Sequence, residues 1–251
     1  MQERLIVGAG TPEAAWQAWP GLHQVPSITL RDLVPRSVRT VVVSPHPDDE
    51  VLATGGLLAM LARERERACV VAVTDGDASH PGSTRWPAPL LAEQRRTESL
   101  QGLALLGLTP QIREALAVPD GQVLSHLPTL IAWLRAFLHP EDVVLSTWAL
   151  DGHPDHEATA QATAVACASV GARHIQVPVW MWHWAAPADG RVPWSRMVRL
   201  PLSVDAFHRK KLALAAHRTQ LDAQDTGRAA VLQPTATARM LRACEFFILP
   251  G

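Results

Sequence analysis

The sequence has no tyrosine in its 251 residues and only three cysteines. The missing phenol excludes tyrosine as a general acid or base. The cysteines, Cys69, Cys167 and Cys244, lie far apart and form no C-x-x-C pair. We therefore expect free thiols in a reducing cytoplasm rather than a disulfide framework. No apolar run approaches the roughly 20 residues that are needed to span a bilayer.

A basic excess is also missing. The formal net charge is −1 at pH 7, which argues against nucleic acid or an anionic membrane as the partner, because both require a positively charged face. Residues 1–16 lack a basic start followed by an apolar core and a cleavage site, so we expect no secretion signal. A small molecule is then the expected partner, and the sequence is also compatible with a homo-oligomer.

From residue 38 onward, short apolar runs alternate with amphipathic segments. They predict strands at 39–44, 68–74, 113–118, 143–148, 174–182 and 243–249, and helices at 49–66, 89–106, 127–138, 156–170 and 203–224. Such alternation is typical of an α/β fold, here a three-layer, Rossmann-like open sheet, mostly parallel, with helices on both faces. We expect residues 1–37 to form an arm packed on a single domain of residues 38–251. Ligands bind such sheets at the carboxyl ends of the strands.

The stretch Ser-Pro-His-Pro-Asp-Asp-Glu at 44–50 ends the first predicted strand. With Pro47 near the first helical position, His46 and Asp49 stand about one turn apart and can face one point. Asp48 lies between them and must point elsewhere, which suits two metal ligands and a separate base. The alternative is helix-start chemistry alone, because a proline followed by acids favours the beginning of a helix.

A second stretch of this kind, Asp-Gly-His-Pro-Asp-His at 151–156, again follows a predicted strand and begins a predicted helix. Helix capping alone explains two such stretches poorly. One histidine from here completes a His–Asp–His set with an open position for water, as in catalytic zinc sites. We predict one zinc ion per chain, bound by His46, Asp49 and His156. His153 is expected on the rim, where it serves proton transfer or the oxyanion.

These stretches resemble the signatures of the PIG-L/LmbE-like family of zinc-dependent de-N-acetylases. The matching segments are PHPDDE at 45–50 and HPDH at 153–156, with weaker similarities at 95–98 and 210–220. The resemblance implies an LmbE-like fold. It also implies a cytoplasmic hydrolase that removes acetyl from an N-acetylated amino sugar, such as an N-acetylglucosaminyl conjugate.

For the reaction, the resemblance implies a zinc-bound water as the nucleophile and Asp48 as its general base. His153 would stabilise the oxyanion or protonate the leaving amine, and Asp155 would steady one of the imidazoles from behind. Some family members place a tyrosine shortly before the HPDH histidine to help hold the tetrahedral intermediate. Because this chain has no tyrosine, we expect His153 to carry more of that duty and to be protonated in the active form.

Three residues outside the paired motifs are candidates for binding the substrate. Asp120, before a glycine, suits sugar hydroxyls, with a plain turn aspartate as the alternative. Arg95 suits a hydroxyl, carboxylate or phosphate, with an i,i+3 pairing to Glu98 on a solvated helix as the alternative. Trp182 lies in the segment 179–184, whose alternating tryptophans would share one strand face and offer it to a sugar ring. Core packing is the alternative for Trp182.

Two other functions fit parts of this pattern. A metal-dependent phosphoesterase commonly uses two metal ions roughly 3.5–4 Å apart, whereas the motifs supply ligands for one. A non-catalytic carbohydrate-binding or regulatory domain needs no base, and the retention of Asp48 argues against it. The number of metal ions per chain distinguishes a phosphoesterase from a deacetylase. Acetate release distinguishes a deacetylase from a non-catalytic domain.

Overall fold

The computed structural model describes residues 4–109 and 113–251, so residues 1–3 of the predicted arm lie outside the described part. Within it, seven strands form one open sheet in the order β3-β2-β1-β4-β5-β7-β6. They are β1 Thr40–Ser44, β2 Ala68–Thr74, β3 Arg113–Val118, β4 Val143–Thr147, β5 Arg173–Val177, β6 Met197–Pro201 and β7 Cys244–Ile248. Strands β1 to β5 are parallel, and β7 runs antiparallel to β5 and β6. The predicted fold class is confirmed.

Helices connect and cover the strands. They are α1 Glu13–Ala18, α2 Pro20–Gln24, α3 Leu30–Leu33, α4 Asp49–Arg63, α5 Ala88–Leu105, α6 Leu127–Phe137, α7 Pro154–Val170, α8 Met181–Trp184, α9 Val204–Ala215, α10 Arg218–Leu221 and α11 Pro234–Met240. Helices α4 to α7 lie close to their predicted positions. Among the described residues, no helix has both the length and the apolar character needed to cross a membrane.

The two faces of the sheet pack against different helices. Along β1, Val42 belongs to a core shared with α4, α5 and α9, while Val41 and Val43 belong to a second core with α6 and α7. Neighbouring side chains of a strand project to opposite faces, so a strand that is buried on both sides needs a continuous apolar run. This explains the unbroken valines of 41–43.

The strand order reverses at β1, because β2 and β3 lie on one side of it and β4 and β5 on the other. At such a point the loops after neighbouring strands diverge and leave a crevice, where open α/β sheets bind ligands. Residues 45–50 follow β1, and residues 151–156 follow β4 after a short loop. The topology therefore brings both histidine-containing stretches to one crevice.

The predicted strand at 174–182 is wrong in its second half. Strand β5 ends at Val177, and Met181–Trp184 forms the short helix α8. The Asp151 carboxylate accepts hydrogen bonds from the backbone N–H groups of residues 179, 180 and 181, at 3.0, 2.9 and 3.0 Å. An acid from another loop thus begins a helical turn, and the alternating tryptophans do not share a strand face.

The predicted long helix at 203–224 is also wrong, because it is divided into α9, Val204–Ala215, and α10, Arg218–Leu221. Glu98 of α5 accepts hydrogen bonds from the backbone N–H of Thr219 (3.0 Å) and from its hydroxyl (2.6 Å). This buried carboxylate satisfies the first turn of α10, so a new helix begins there instead of α9 continuing.

The segment before β1 packs on the domain. Trp16 of α1 is fully buried, and its indole N–H donates to the carbonyl of Trp182 (3.0 Å). The backbone N–H of Thr11 donates to the carbonyl of His183 (2.9 Å). Both contacts fall on α8, so this segment supports the turn that follows β5.

Candidate metal centre and active site

Three side chains that were predicted as metal ligands converge in the crevice. Asp49 Oδ2 lies 3.2 Å from His46 Nδ1 and 3.1 Å from His156 Nε2. Among the described residues, His156 Nε2 is buried and has no partner in hydrogen-bond geometry, Asp49 included. His46 Nδ1, in contrast, is within hydrogen-bond geometry of Asp49 Oδ2. A buried, unpartnered ring nitrogen beside such a pair is arranged to bind a cation, and two imidazoles with one carboxylate are a donor set that suits zinc.

The other ring nitrogen of each of these imidazoles faces carboxylate. His156 Nδ1 lies 2.8 Å from Asp151 Oδ2. His46 Nε2 lies 3.2 Å from Asp120 Oδ1 and 3.3 Å from Asp155 Oδ2. Metal-binding histidines usually donate their second N–H to such an acceptor, which fixes the ring and raises its basicity. The surroundings of both rings therefore also fit a metal ion.

The centre favours positive charge. Burial opposes protonation of His156, but the carboxylates of Asp49 and Asp151 outweigh it and raise the pKa of this imidazole to about 9. Burial also opposes the charge of His46, whose pKa neighbouring carboxylates raise well above its usual value. Burial would raise the pKa of Asp49, yet the two imidazoles hold it below its usual range. The negative charge that stabilises protons on these two imidazoles would equally stabilise a bound cation.

Asp48 stands apart from the three converging side chains. Its Oδ2 lies 3.4 Å from Arg95 Nη2, and its backbone N–H donates to Glu50 Oε2 (3.1 Å). It lines the same cavity as His46 and Asp49. Burial raises the pKa of Asp48, and the nearby guanidinium limits the rise. A carboxylate of raised pKa at this position suits a general base.

Arg95 is buried. Its guanidinium donates to the carbonyls of Gly76 (2.7 Å) and Pro47 (3.3 Å), in addition to its contact with Asp48. Glu98 is also buried and accepts hydrogen bonds from α10, so an exposed pairing of Arg95 with Glu98 is excluded. Arg95 thus positions the loop that carries Asp48. It also lines the cavity, and its contact with a substrate stays a prediction.

His153 lies beside the two imidazoles that are predicted to bind the metal, with ring centroids 4.9 Å from His46 and 4.8 Å from His156. Burial and the charge of those two rings lower the pKa of His153 to about 3. The backbone N–H of Asp155 donates to Nδ1 (3.3 Å), which leaves the proton of the neutral ring on Nε2. The expectation of a protonated His153 is therefore corrected, because this environment favours a neutral ring with one N–H donor.

The other two predicted acids join loops around the centre. Asp155 accepts hydrogen bonds from backbone N–H groups of the loop 121–123 (2.8 and 3.2 Å). Of the imidazoles that it was predicted to support, it contacts that of His46. Asp120 Oδ2 accepts the N–H of Ala78 (2.9 Å), while its Oδ1 faces His46. Asp120 is thus more than a turn residue, although its binding of sugar hydroxyls stays a prediction.

In front of these residues lies a cavity of about 310 Å³. Besides His46, His153, Arg95 and the acids at 48, 49 and 120, its lining consists of Leu52, Ala78, Ser79, Gly121, Trp180, Gln220, Val231 and Leu232. Trp182 instead is 2% exposed and packs in the core against Trp16 and Phe246, with ring centroids 5.1 and 4.8 Å away. The prediction that Trp182 binds substrate is wrong, and Trp180 occupies the cavity wall.

Asp151 has a role that its motif did not indicate. It is fully buried, and its Oδ2 accepts both from His156 Nδ1 and from the backbone N–H of Trp180. One carboxylate therefore orients a predicted metal ligand and begins the turn that carries Trp180. The sequence feature that could have indicated this role is the position of an acid on the loop just before the helix that carries His156.

We expect Asp151→Asn to weaken metal binding roughly 10- to 100-fold, the usual cost of losing the acceptor behind a ligand histidine. Competition with a chromogenic chelator measures the affinity. Asp142→Asn is the matched control, since Asp142 is equally buried but pairs with Arg39 (2.6 Å) at the opposite end of the sheet. An unchanged affinity in Asp151→Asn, or an equal loss in the control, would contradict the assigned role.

An open α/β sheet with an imidazole–carboxylate centre at its switch point, and a separate acid facing the same cavity, has the arrangement of a metal-dependent hydrolase. The profile of the PIG-L family, described as GlcNAc-PI de-N-acetylase, matches residues 41–167. This match covers just over half of the chain and includes both stretches that form the centre. The chain belongs to the PIG-L family.

Two relatives of known activity are deacetylases. The chain is 36% identical over 97 residues to 2'-N-acetylparomamine deacetylase of Streptomyces fradiae, a match that covers 38% of this chain and 33% of that protein. It is 26% identical to 1D-myo-inositol 2-acetamido-2-deoxy-alpha-D-glucopyranoside deacetylase of Corynebacterium diphtheriae, over 76% of this chain and 78% of that enzyme.

Solved structures share the fold. The antimicrobial reagent A40926 pseudoaglycone deacetylase Dbv21 superposes with a TM-score of 0.60 at 23% identity, over 74% of this chain and 84% of that chain. A conserved protein of Thermus thermophilus gives a TM-score of 0.59 at 22% identity, over 84% of this chain and 94% of that one. At these identities the likeness shows the fold alone.

Proposed function

We propose that this chain is a zinc-dependent hydrolase that removes acetyl from an N-acetylated amino sugar, in the class of N-acetylglucosaminyl conjugates. The observation that carries the proposal is the convergence of His46 and His156 on Asp49, with Asp48 separate from them and facing the same cavity. Membership of the PIG-L family and the deacetylase relatives support the reaction class.

His46, Asp49 and His156 would hold one zinc ion. When bound, zinc lowers the pKa of a coordinated water to about 7 and polarises the acetyl carbonyl. Teicoplanin deacetylase Orf2, whose structure has a similar fold, has been crystallised in a zinc-inhibited form. The two structures superpose with a TM-score of 0.56 at 18% identity, over 74% of this chain and 85% of that chain. Zinc loading should therefore be titrated rather than supplied in excess.

The residues of the cavity divide the remaining work. Asp48 accepts a proton from the attacking water as the water oxygen bonds to the acetyl carbon. The Nε2–H of neutral His153 donates to the oxyanion that develops on the carbonyl oxygen. The contact of Arg95 with Asp48 Oδ2 keeps the base oriented.

The leaving nitrogen needs a proton before the bond between carbon and nitrogen breaks. A neutral His153 is a poor acid, because losing its only ring proton would leave an anion in a buried site. Asp48 holds the proton that it took from water, and burial raises its pKa. We assign to Asp48 the return of this proton to the nitrogen, which yields acetate and a free amine.

The test is a panel of N-acetylglucosaminides incubated with metal-titrated protein, with acetate and free amine both quantified. We expect acetate release and about one zinc per chain by elemental analysis, from a three-ligand site. Asp49→Ala and His156→Ala should each lose most of the metal while remaining folded. Two metals per chain with phosphate ester hydrolysis would favour a phosphoesterase, and metal binding without acetate release would favour a non-catalytic domain.

A further inference from the structure

Beside the catalytic cavity lies a second one of about 180 Å³, which we call the side cavity. It is lined by Ile6, Gly8, Trp180, His183, Val231, Gln233, Thr235, Ala236 and Arg239. Trp180 and Val231 line both cavities. The two spaces are therefore neighbours that share these two lining side chains.

Several contacts hold Trp180 and its neighbour His183 in place. Its backbone N–H donates to Asp151 Oδ2 (2.9 Å), and its ring lies 5.8 Å from the ring of His183 at an angle of 71°. His183 in turn accepts from Arg239 at Nδ1 (3.0 Å), and its Nε2 lies 3.0 Å from the Val7 carbonyl. Asp151 thus holds the backbone of Trp180, and the indole packs against a histidine that Arg239 and Val7 hold in place.

The indole of Trp180 keeps unused binding capacity. It is half-buried, whereas Trp182 is buried in the core. The indole N–H of Trp180, like that of several other tryptophans, makes no hydrogen bond within residues 4–109 and 113–251. What distinguishes Trp180 is its place in the lining of the catalytic cavity. An aromatic face with a free donor suits the C–H face and the hydroxyls of a sugar-like ring.

The two cavities differ in chemistry. The catalytic cavity has the carboxylates of Asp48, Asp49 and Asp120, whereas the described lining of the side cavity contains no acid. Its polar groups are the amide of Gln233, the hydroxyl of Thr235, the His183 ring and the Arg239 guanidinium. The two Nη atoms of Arg239 already donate to the carbonyls of Ala9 and Thr11 and to His183 Nδ1. The amide and the hydroxyl can serve a ligand that carries neutral hydroxyls and has an apolar face.

We propose that Trp180 selects the substrate by stacking against a hydroxylated ring joined to the acetamido sugar, and that the side cavity receives that ring. This inference rests on the proposed function, since it places the acetamido group at Asp48 and His153. It makes Trp180 a specificity-determining residue rather than a catalytic one.

The experiment compares two acetamides that differ only in the attached group, the methyl glycoside of N-acetylglucosamine and a disaccharide in which the same sugar is joined to a second sugar ring. In Trp180→Ala, kcat/KM for the disaccharide should fall about 3- to 10-fold more than for the methyl glycoside, the scale of one aromatic contact. The difference should appear in KM, and Trp180→Phe should restore part of it. Trp133→Phe, on α6 and stacked on Phe137, is the control that changes neither.

Equal losses on both substrates, or none, would overturn the role of Trp180. Saturation-transfer NMR of the disaccharide gives a second measurement that needs no turnover, in which contacts to the second ring should be lost in Trp180→Ala. An unchanged pattern of contacts would also overturn the proposal. If the wild-type protein binds the disaccharide through Trp180 but hydrolyses neither acetamide, the proposed function fails, while the binding of the second ring by Trp180 stands.

Discussion

Asp48→Asn is expected to lower kcat by about 10² or more while the protein keeps its metal and its fold, because the change removes proton transfer and little else. The amide has nearly the same size and can still contact Arg95, but it cannot accept the proton of the attacking water. In the proposed mechanism it also cannot return a proton to the leaving nitrogen. Steady-state kinetics with matched metal content measures the loss.

Two further variants make this result specific. Asp77→Asn, on the loop after β2, is expected to change kcat little, since Asp77 does not line the cavity. Glu50→Gln examines the other nearby acid. Glu50 is buried and accepts hydrogen bonds from Ser44 (3.0 Å) and Ser99 (2.6 Å), so its role is to hold the loop. Near-normal turnover in Asp48→Asn would move the base elsewhere, with Glu50 as the next candidate.

His153→Ala is expected to cost about 10²–10³ in kcat, the usual loss for one oxyanion donor, and to leave the metal bound. The loss should approach the upper end because no tyrosine shares the duty. His153→Gln separates the two possible roles of this residue. A glutamine offers a neutral N–H donor but no acid, so partial activity in this variant supports the neutral ring that the buried environment favours.

His23→Gln, at an exposed position on α2, is the control for the substitution itself. Metal content decides a further point, since ring nitrogens of His46, His153 and His156 all lie within 4.8 Å of one another. If His153→Ala empties the metal site, His153 is a ligand and the second motif has been interpreted in the wrong register. Full activity in His153→Ala with metal bound would exclude it as the oxyanion donor.

Local patterns predicted much of the scaffold. Buried parallel strands need continuous apolar runs, so β1, β2 and β4 are visible in the sequence as short apolar runs that contain adjacent valines. The three-residue spacing of His46 and Asp49 places their side chains about one helical turn apart, and both face the crevice in the structure. The repeated His-Pro-Asp after two strands indicated where the site lies, because the carboxyl ends of parallel strands share one edge.

The sequence by itself therefore determined the fold class, the crevice and the side chains that converge there. Only the tertiary structure decided that Asp151 would begin α8 and bring Trp180 to the cavity wall, that Trp182 would enter the core, and that burial would lower the pKa of His153. Each of these outcomes depends on a partner distant in the chain or on burial. Hydrogen-bond acceptors from another loop, and the loss of water around a ring, leave no periodic trace in a sequence.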